Sequence, residues 1–148
     1  MSLEIIISDA IKDAMRAKDK IALDALRAVK SQILLVKTEA KGADVSAEQE
    51  IAILQRMIKQ RKDSFDQFTA QNRSDLAAVE QAQSTIIEKF LPQQLSTEEL
   101  ESEIKKIISQ TGAESAKDLG KVMGMASKAL AGKSDGKSIS DMAKKLLS

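Results

Sequence analysis

The chain has 148 residues and a formal charge of +1, with three Phe, no Tyr or Trp, one Pro and six Gly. It contains no cysteine and no histidine, which excludes disulfides, thiolate nucleophiles and cysteine-based zinc sites, and removes the commonest general base and metal ligand. Ala, Leu, Lys, Glu and Gln dominate, so the composition favours an all-α chain of one compact unit or two small ones.

Apolar spacing sets out the helices in order. Leu3, Ile7, Ala10 and Ala14 predict a short first helix. Glu4 and Asp9 break any signal-peptide run there, and no segment approaches the roughly 18 uncharged residues of a membrane span, so no membrane association and cytoplasmic residence are expected. Ala22, Leu26, Val29, Ile33 and Val36 predict a second helix ending near Lys41-Gly42. Ser46 with Gln49 predicts a capping box that opens a long third helix over residues 47–70. Its stripe runs Ile51, Leu54, Ile58, Arg61, Phe65, Phe68. Asn72 is the expected cap of a fourth helix whose face is Leu76, Val79, Gln83, Ile86 and Phe90, stopped by Pro92. Phe65, Phe68 and Phe90 are expected to meet as core anchors between helices three and four. Arg61, charged on an apolar line, has two readings. It is either a solvated edge position or a partly buried guanidinium held by Glu80 or Gln83.

The stretch Leu91-Pro-Gln-Gln-Leu-Ser96 is the expected boundary, giving an N-terminal four-helix domain (1–92) and a small three-helix C-terminal domain (96–148). Ser96 with Glu99 predicts a capping box for the fifth helix (Leu100, Ile104, Ile107, Ile108), and Gly112 its end. Ser115 with Asp118 predicts the start of a sixth (Leu119, Val122, Met123, Ala126, Leu130). Gly132–Gly136 reads as a turn, and Ser138 with Asp141 as the start of a seventh (Ile139, Met142, Ala143, Leu146).

Motifs that suggest chemistry fail on inspection. Gly132-Lys133-Ser134 resembles the end of a phosphate loop, but Ser127 stands where the first glycine is required and no strand precedes it. Ser102-x-x-Lys105 and Ser134-x-x-Lys137 lack the companion motifs of a serine nucleophile. The carboxylate pairs Asp63/Asp66 and Glu99/Glu103 have no further ligands, so no metal and no cofactor are expected. The near-neutral total hides a basic C-terminal stretch. Residues 115–148 carry seven lysines against three carboxylates, and lysine suits non-specific phosphate attraction better than bidentate base reading. Gly120-x-x-x-Gly124 on the sixth helix calls for some close backbone approach, by another helix or by a bound ligand's backbone.

The segments Leu26-Arg-Ala-Val-Lys-Ser31, Lys59-Gln-Arg-Lys-Asp-Ser64, Arg73-Ser-Asp-Leu76, Glu80, Phe90-Leu-Pro-Gln-Gln-Leu-Ser96, Asp118-Leu-Gly-Lys-Val-Met-Gly124 and Gly132-Lys-Ser-Asp-Gly136 resemble, in order, those of the GatB/YqeY family. Gln83 departs from that pattern, where an acidic residue is expected. The resemblance implies kinship to the C-terminal helical and tail regions of the B subunit of the bacterial tRNA-dependent amidotransferase, and so a bacterial setting. The subunit's ATP-handling catalytic part lies upstream of the region resembled, and its tail contacts tRNA.

The leading expectation is therefore a tRNA-binding or amidotransferase-related accessory protein without catalytic residues of its own. A helical protein–protein interaction module is the alternative. A carbon–nitrogen ligase with glutamine as amido donor stands third, through family association only. For the leading reading, Lys121, Lys133 and Lys137, with the backbone around Gly120, Gly124 and Gly136, form the expected nucleic-acid contact surface.

Overall fold

The computed structural model describes residues 2–148, which are all-α and fall into two compact units, one ending at Leu91 and the other beginning at Pro92. In the first, α1 (Leu3–Ala17) and α2 (Lys20–Glu39) form one hairpin, and α3 (Ala47–Ala70) and α4 (Ser74–Glu88) form a second. Helix α2 packs on both α3 and α4. The core is aliphatic: Ile7, Val29, Ile33, Leu54 and Ile87 are almost wholly buried, the first four on the stripes that the spacing predicts for α1 to α3.

Caps and long-range polar contacts fix these helices. Ser46 and Gln49 exchange the two hydrogen bonds of a capping box, at 3.1 and 2.9 Å. The first turn of α1 has no cap from Ser2, and its Leu3 N–H donates instead to Glu50 of α3 at 2.6 Å. Lys37 pairs with Glu4 at 3.0 Å across the α1–α2 hairpin, and that carboxylate raises the lysine's pKa. The sharper reading of Arg61 holds. Its Nε donates to Gln83 Oε1 at 3.1 Å and its Nη1 to the Met57 carbonyl at 3.3 Å.

Three expectations for this unit are corrected. Asn72 does not cap α4. It takes a left-handed φ of 59°, and Arg73 is the residue before the helix, with its guanidinium on Asp75 at 3.2 Å. The buried face of α4 is Ala77, Ser84 and Ile87, not the line through Val79, which is 39 % exposed. Nor do the three phenylalanines form a core. Phe90 packs at the edge of the aliphatic cluster, while Phe65 and Phe68 are only half-buried. Beyond Ile58 no residue of α3 is buried, and Phe65 there lines an open cleft of roughly 600 Å³ with Ala77 and Ala82 of α4.

The second unit holds α5 (Thr97–Thr111), a 3₁₀ turn (Ala116–Asp118), α6 (Leu119–Ala129) and α7 (Gly136–Leu147), with the three α-helices packed against one another. Ile104, Val122, Ala126 and Ala143 are fully buried between them. The Ser96–Glu99 capping box is formed, and the Ser96 N–H holds the Glu99 carboxyl below the usual carboxylate range. Gly112, at φ 69°, closes α5.

Two helix starts are corrected. Ser115 opens the 3₁₀ turn rather than α6 itself, its Oγ accepting from Lys117 N–H. Helix α7 begins a turn earlier than expected, because Asp135 is a good cap in its own right and accepts the Ser138 N–H at 2.6 Å. Gly136 is therefore helical, and the turn lies before it. The segment after Pro92 belongs to this unit through hydrogen bonds. Gln94 Nε2 donates to the Gly132 carbonyl at 2.5 Å, and Leu95 N–H to the Lys133 carbonyl at 2.9 Å.

Candidate nucleic-acid interface

Helix α6 has two faces set by its sequence. Val122 and Ala126 are fully buried, while Gly120, Lys121, Gly124, Met125 and Lys128 are exposed. Lys121, Gly124 and Lys128 are spaced i, i+3, i+7 and share one stripe. No residue of Leu119–Ala129 is acidic.

A Cβ built on Gly120 or Gly124 meets nothing within 4 Å. The expectation that another helix lies close against these glycines is therefore overturned within this chain. Gly120 lies in the first turn of α6 and Gly124 in its interior, where glycine costs about 1 kcal/mol relative to alanine, with no internal packing to offset it. Their effect is to bring the α6 backbone to the surface between lysines.

Lys133 is exposed in the α6–α7 turn, its backbone N–H donating to Leu130 and its carbonyl accepting from Leu95. Lys137 and Gly136 are exposed in the first turn of α7. That turn is no nest for an anion, because the Asp135 carboxylate already occupies its Ser138 N–H. The predicted residues thus divide. Gly120, Lys121 and Gly124 are brought together on one helix face. Lys133, Gly136 and Lys137 flank a carboxylate on a different segment.

Sequence reasoning missed Lys128 on the α6 stripe, although its i+7 spacing from Lys121 was the signal. It also missed exposed Lys117 in the 3₁₀ turn just ahead. All seven lysines of 115–148 are exposed, and among the described residues none enters an ion pair. By contrast, Lys105 and Lys106 of α5 are paired with Glu101 and Glu103. Two of the three acids of 115–148 are engaged by backbone groups. Asp118 accepts the Glu114 N–H at 3.0 Å and Asp135 caps α7, so neither neutralises a lysine. Among the described residues, no group of three or more Asp or Glu side chains could hold a metal ion, and no helix is long and apolar enough to cross a membrane.

The family model of the YqeY-like proteins matches residues 5–147. The chain belongs to the YqeY-like family. Relatives include the Altered inheritance of mitochondria protein 41, mitochondrial, of Saccharomyces cerevisiae (strain YJM789), 34 % identical over 100 residues that cover 66 % of this chain and 54 % of the yeast protein. The protein of the same name from Lachancea thermotolerans is 30 % identical over 68 % of this chain and 54 % of its own. That of Meyerozyma guilliermondii is 34 % identical over 79 % of this chain and 67 % of its own. This YqeY-like chain spans about half the length of the first two relatives.

Proposed function

We propose that this YqeY-like protein is a tRNA-binding accessory protein that contributes no catalytic residue, and that the exposed face of α6 is its contact surface. The observation that carries the reading is the pair of open helical glycines, Gly120 and Gly124, set between unpaired lysines. A phosphate backbone can approach bare helix backbone closely, and Lys117, Lys121 and Lys128 supply the charge. The relation to tRNA amidation rests on the sequence resemblance, and the cytoplasmic location on the broken signal-peptide run at Glu4 and Asp9; the yeast relatives carry "mitochondrial" in their names. Ligase activity rests on that resemblance alone, and turnover of ATP and glutamine by the purified chain is the measurement that would establish it.

Titration of total tRNA at several salt concentrations tests the proposal. Each phosphate contact contributes a slope of about −0.7 to −0.9 in log affinity against log salt, so three lysines predict a total near −2 to −3. Replacing Lys117, Lys121 and Lys128 with Ala, in a variant shown to be folded, is expected to abolish most of that slope. Replacing Lys133 and Lys137 is expected to change it less. A parent protein with no salt-dependent affinity for tRNA would reject the reading. It would favour the protein-docking alternative, for which Ile5, Met15, Leu34 and Leu35, each more than two-fifths exposed on α1 and α2, provide the apolar surface.

A further inference from the structure

The hydrogen bonds from Gln94 and Leu95 to Gly132 and Lys133 bring the start of α5 beside the start of α7. Between them lies a cavity of about 310 Å³. Buried Leu100 and Met142 form its apolar floor, and Ser134, Ser138, Asp141 and Lys145 stand around it. Its volume is at the small end for ligand sites, enough for one sugar with its phosphate.

Asp141 is the informative residue. Of the three carboxylates in the basic stretch 115–148, Asp118 and Asp135 are each engaged by a backbone N–H. Asp141 has no hydrogen-bond or ion-pair partner among the described residues, although Lys145 is one helical turn away at i+4. A free carboxylate on a surface that attracts phosphate is unfavourable unless the ligand brings a donor to it. A nucleic-acid backbone has one such donor, the ribose 2′-hydroxyl, which also accepts and so can be shared with a serine. Among the described residues the Ser134 and Ser138 hydroxyls have no partner, which suits them to that role.

We infer that this cavity takes a single ribose–phosphate unit of RNA, with Asp141 and Ser138 on the 2′-hydroxyl and Lys145 on the adjoining phosphate. The inference rests on the tRNA-binding proposal and deepens it. The α6 face supplies sequence-tolerant affinity, and the α5–α7 cavity distinguishes RNA from DNA. A DNA strand would leave the Asp141 carboxylate unpaired against its phosphates, so it is selected against by repulsion as well as by a missing contact.

The test is competition on the full-length protein. Labelled tRNA is displaced with oligouridylate or with the oligodeoxyuridylate of the same length, which differ only in the 2′-hydroxyl. The ribo form is expected to compete about ten-fold better. Asp141→Asn and, separately, Ser138→Ala are expected to bring the two competitors within two-fold of each other. Reading the ratio cancels any general gain in affinity from removing a negative charge. The α6 lysine variant should weaken both competitors equally and leave the ratio intact. Equal competition by the two oligomers against the parent, or an undiminished ratio in both cavity variants, would overturn the inference while leaving tRNA binding in place. A tracer that does not bind at all would overturn the cavity assignment together with the proposed function.

Discussion

Ser84 lies in α4 with 4 % of its surface exposed, and its Oγ has no hydrogen-bond partner among the described residues. Helical hydroxyls usually return to the carbonyl four residues back, as Thr38, Thr69 and Thr85 do here at 2.8 to 3.0 Å. Ser84 forgoes that bond while lying on the buried face with Ala77 and Ile87. An unsatisfied buried hydroxyl costs about 1–3 kcal/mol, and alanine is the better helix former. Ser84→Ala is therefore expected to raise stability by about 1 kcal/mol in urea denaturation. A loss of half that size or more would show that the hydroxyl has a partner after all. The position was not legible from the sequence, because the apolar residues of α4 suggested a face through Val79. That face is wrong because α4 meets α2 as well as α3, and spacing within one helix does not say how many neighbours it has. Arg61 was legible in part: the sequence left a solvated edge position and a held guanidinium open, and the structure selects the second. A guanidinium on an apolar line needs a nearby acceptor, and only the helix next in sequence could offer Glu80 or Gln83. The phenylalanines misled because Phe65 and Phe68 lie where α3 has no buried residue, and the stripe alone does not show where the core stops.

Helix starts were read correctly where a serine and a Glu or Gln stood three apart with no rival nearby, at Ser46 and Ser96. They were misplaced where several capping residues cluster, as in Asp135-Gly-Lys-Ser138. There the earlier cap prevails because it adds a turn of helix and still satisfies the N–H of Ser138. On α6 the sequence showed the glycine pair and one of its lysines, but not which way they face, since Gly has no hydropathy with which to choose a side. Their exposure leads to a prediction with two readouts. Gly120→Ala and Gly124→Ala each add a methyl group that meets nothing within 4 Å and remove the backbone freedom of glycine in the unfolded chain. Each is expected to stabilise the protein by about 0.5–1 kcal/mol. The same methyl groups stand between a ligand backbone and the helix, so tRNA affinity is expected to fall several-fold in the double variant. Higher melting temperature with unchanged affinity would show that the bare backbone has no part in binding, and would leave the lysines to act alone.

The two compact units meet in the chain at Leu91 and Pro92, and each has its own hydrophobic cluster. The residues just after the proline serve the second unit as a strap, with Gln94 and Leu95 hydrogen-bonded to the α6–α7 turn. An excised C-terminal piece should therefore begin at Pro92 rather than at the helix cap Ser96. We expect residues 92–148 to fold alone, with helical circular dichroism and a cooperative thermal transition. A domain of this size gains no more than about 3–5 kcal/mol from a single core, so the strap should matter. A fragment begun at Ser96 loses both hydrogen bonds, each worth about 1 kcal/mol, and the packing of Leu95 against the cluster. It should melt well below the longer fragment. The longer fragment is also expected to retain the salt-dependent tRNA affinity of the whole chain, because all seven unpaired lysines and the α5–α7 cavity lie within it. Residues 1–91, whose 14 basic and 14 acidic side chains balance, are expected to bind tRNA weakly. A folded C-terminal fragment without affinity would place the contact surface on the N-terminal helices. A fragment that does not fold would show that the second core depends on the first.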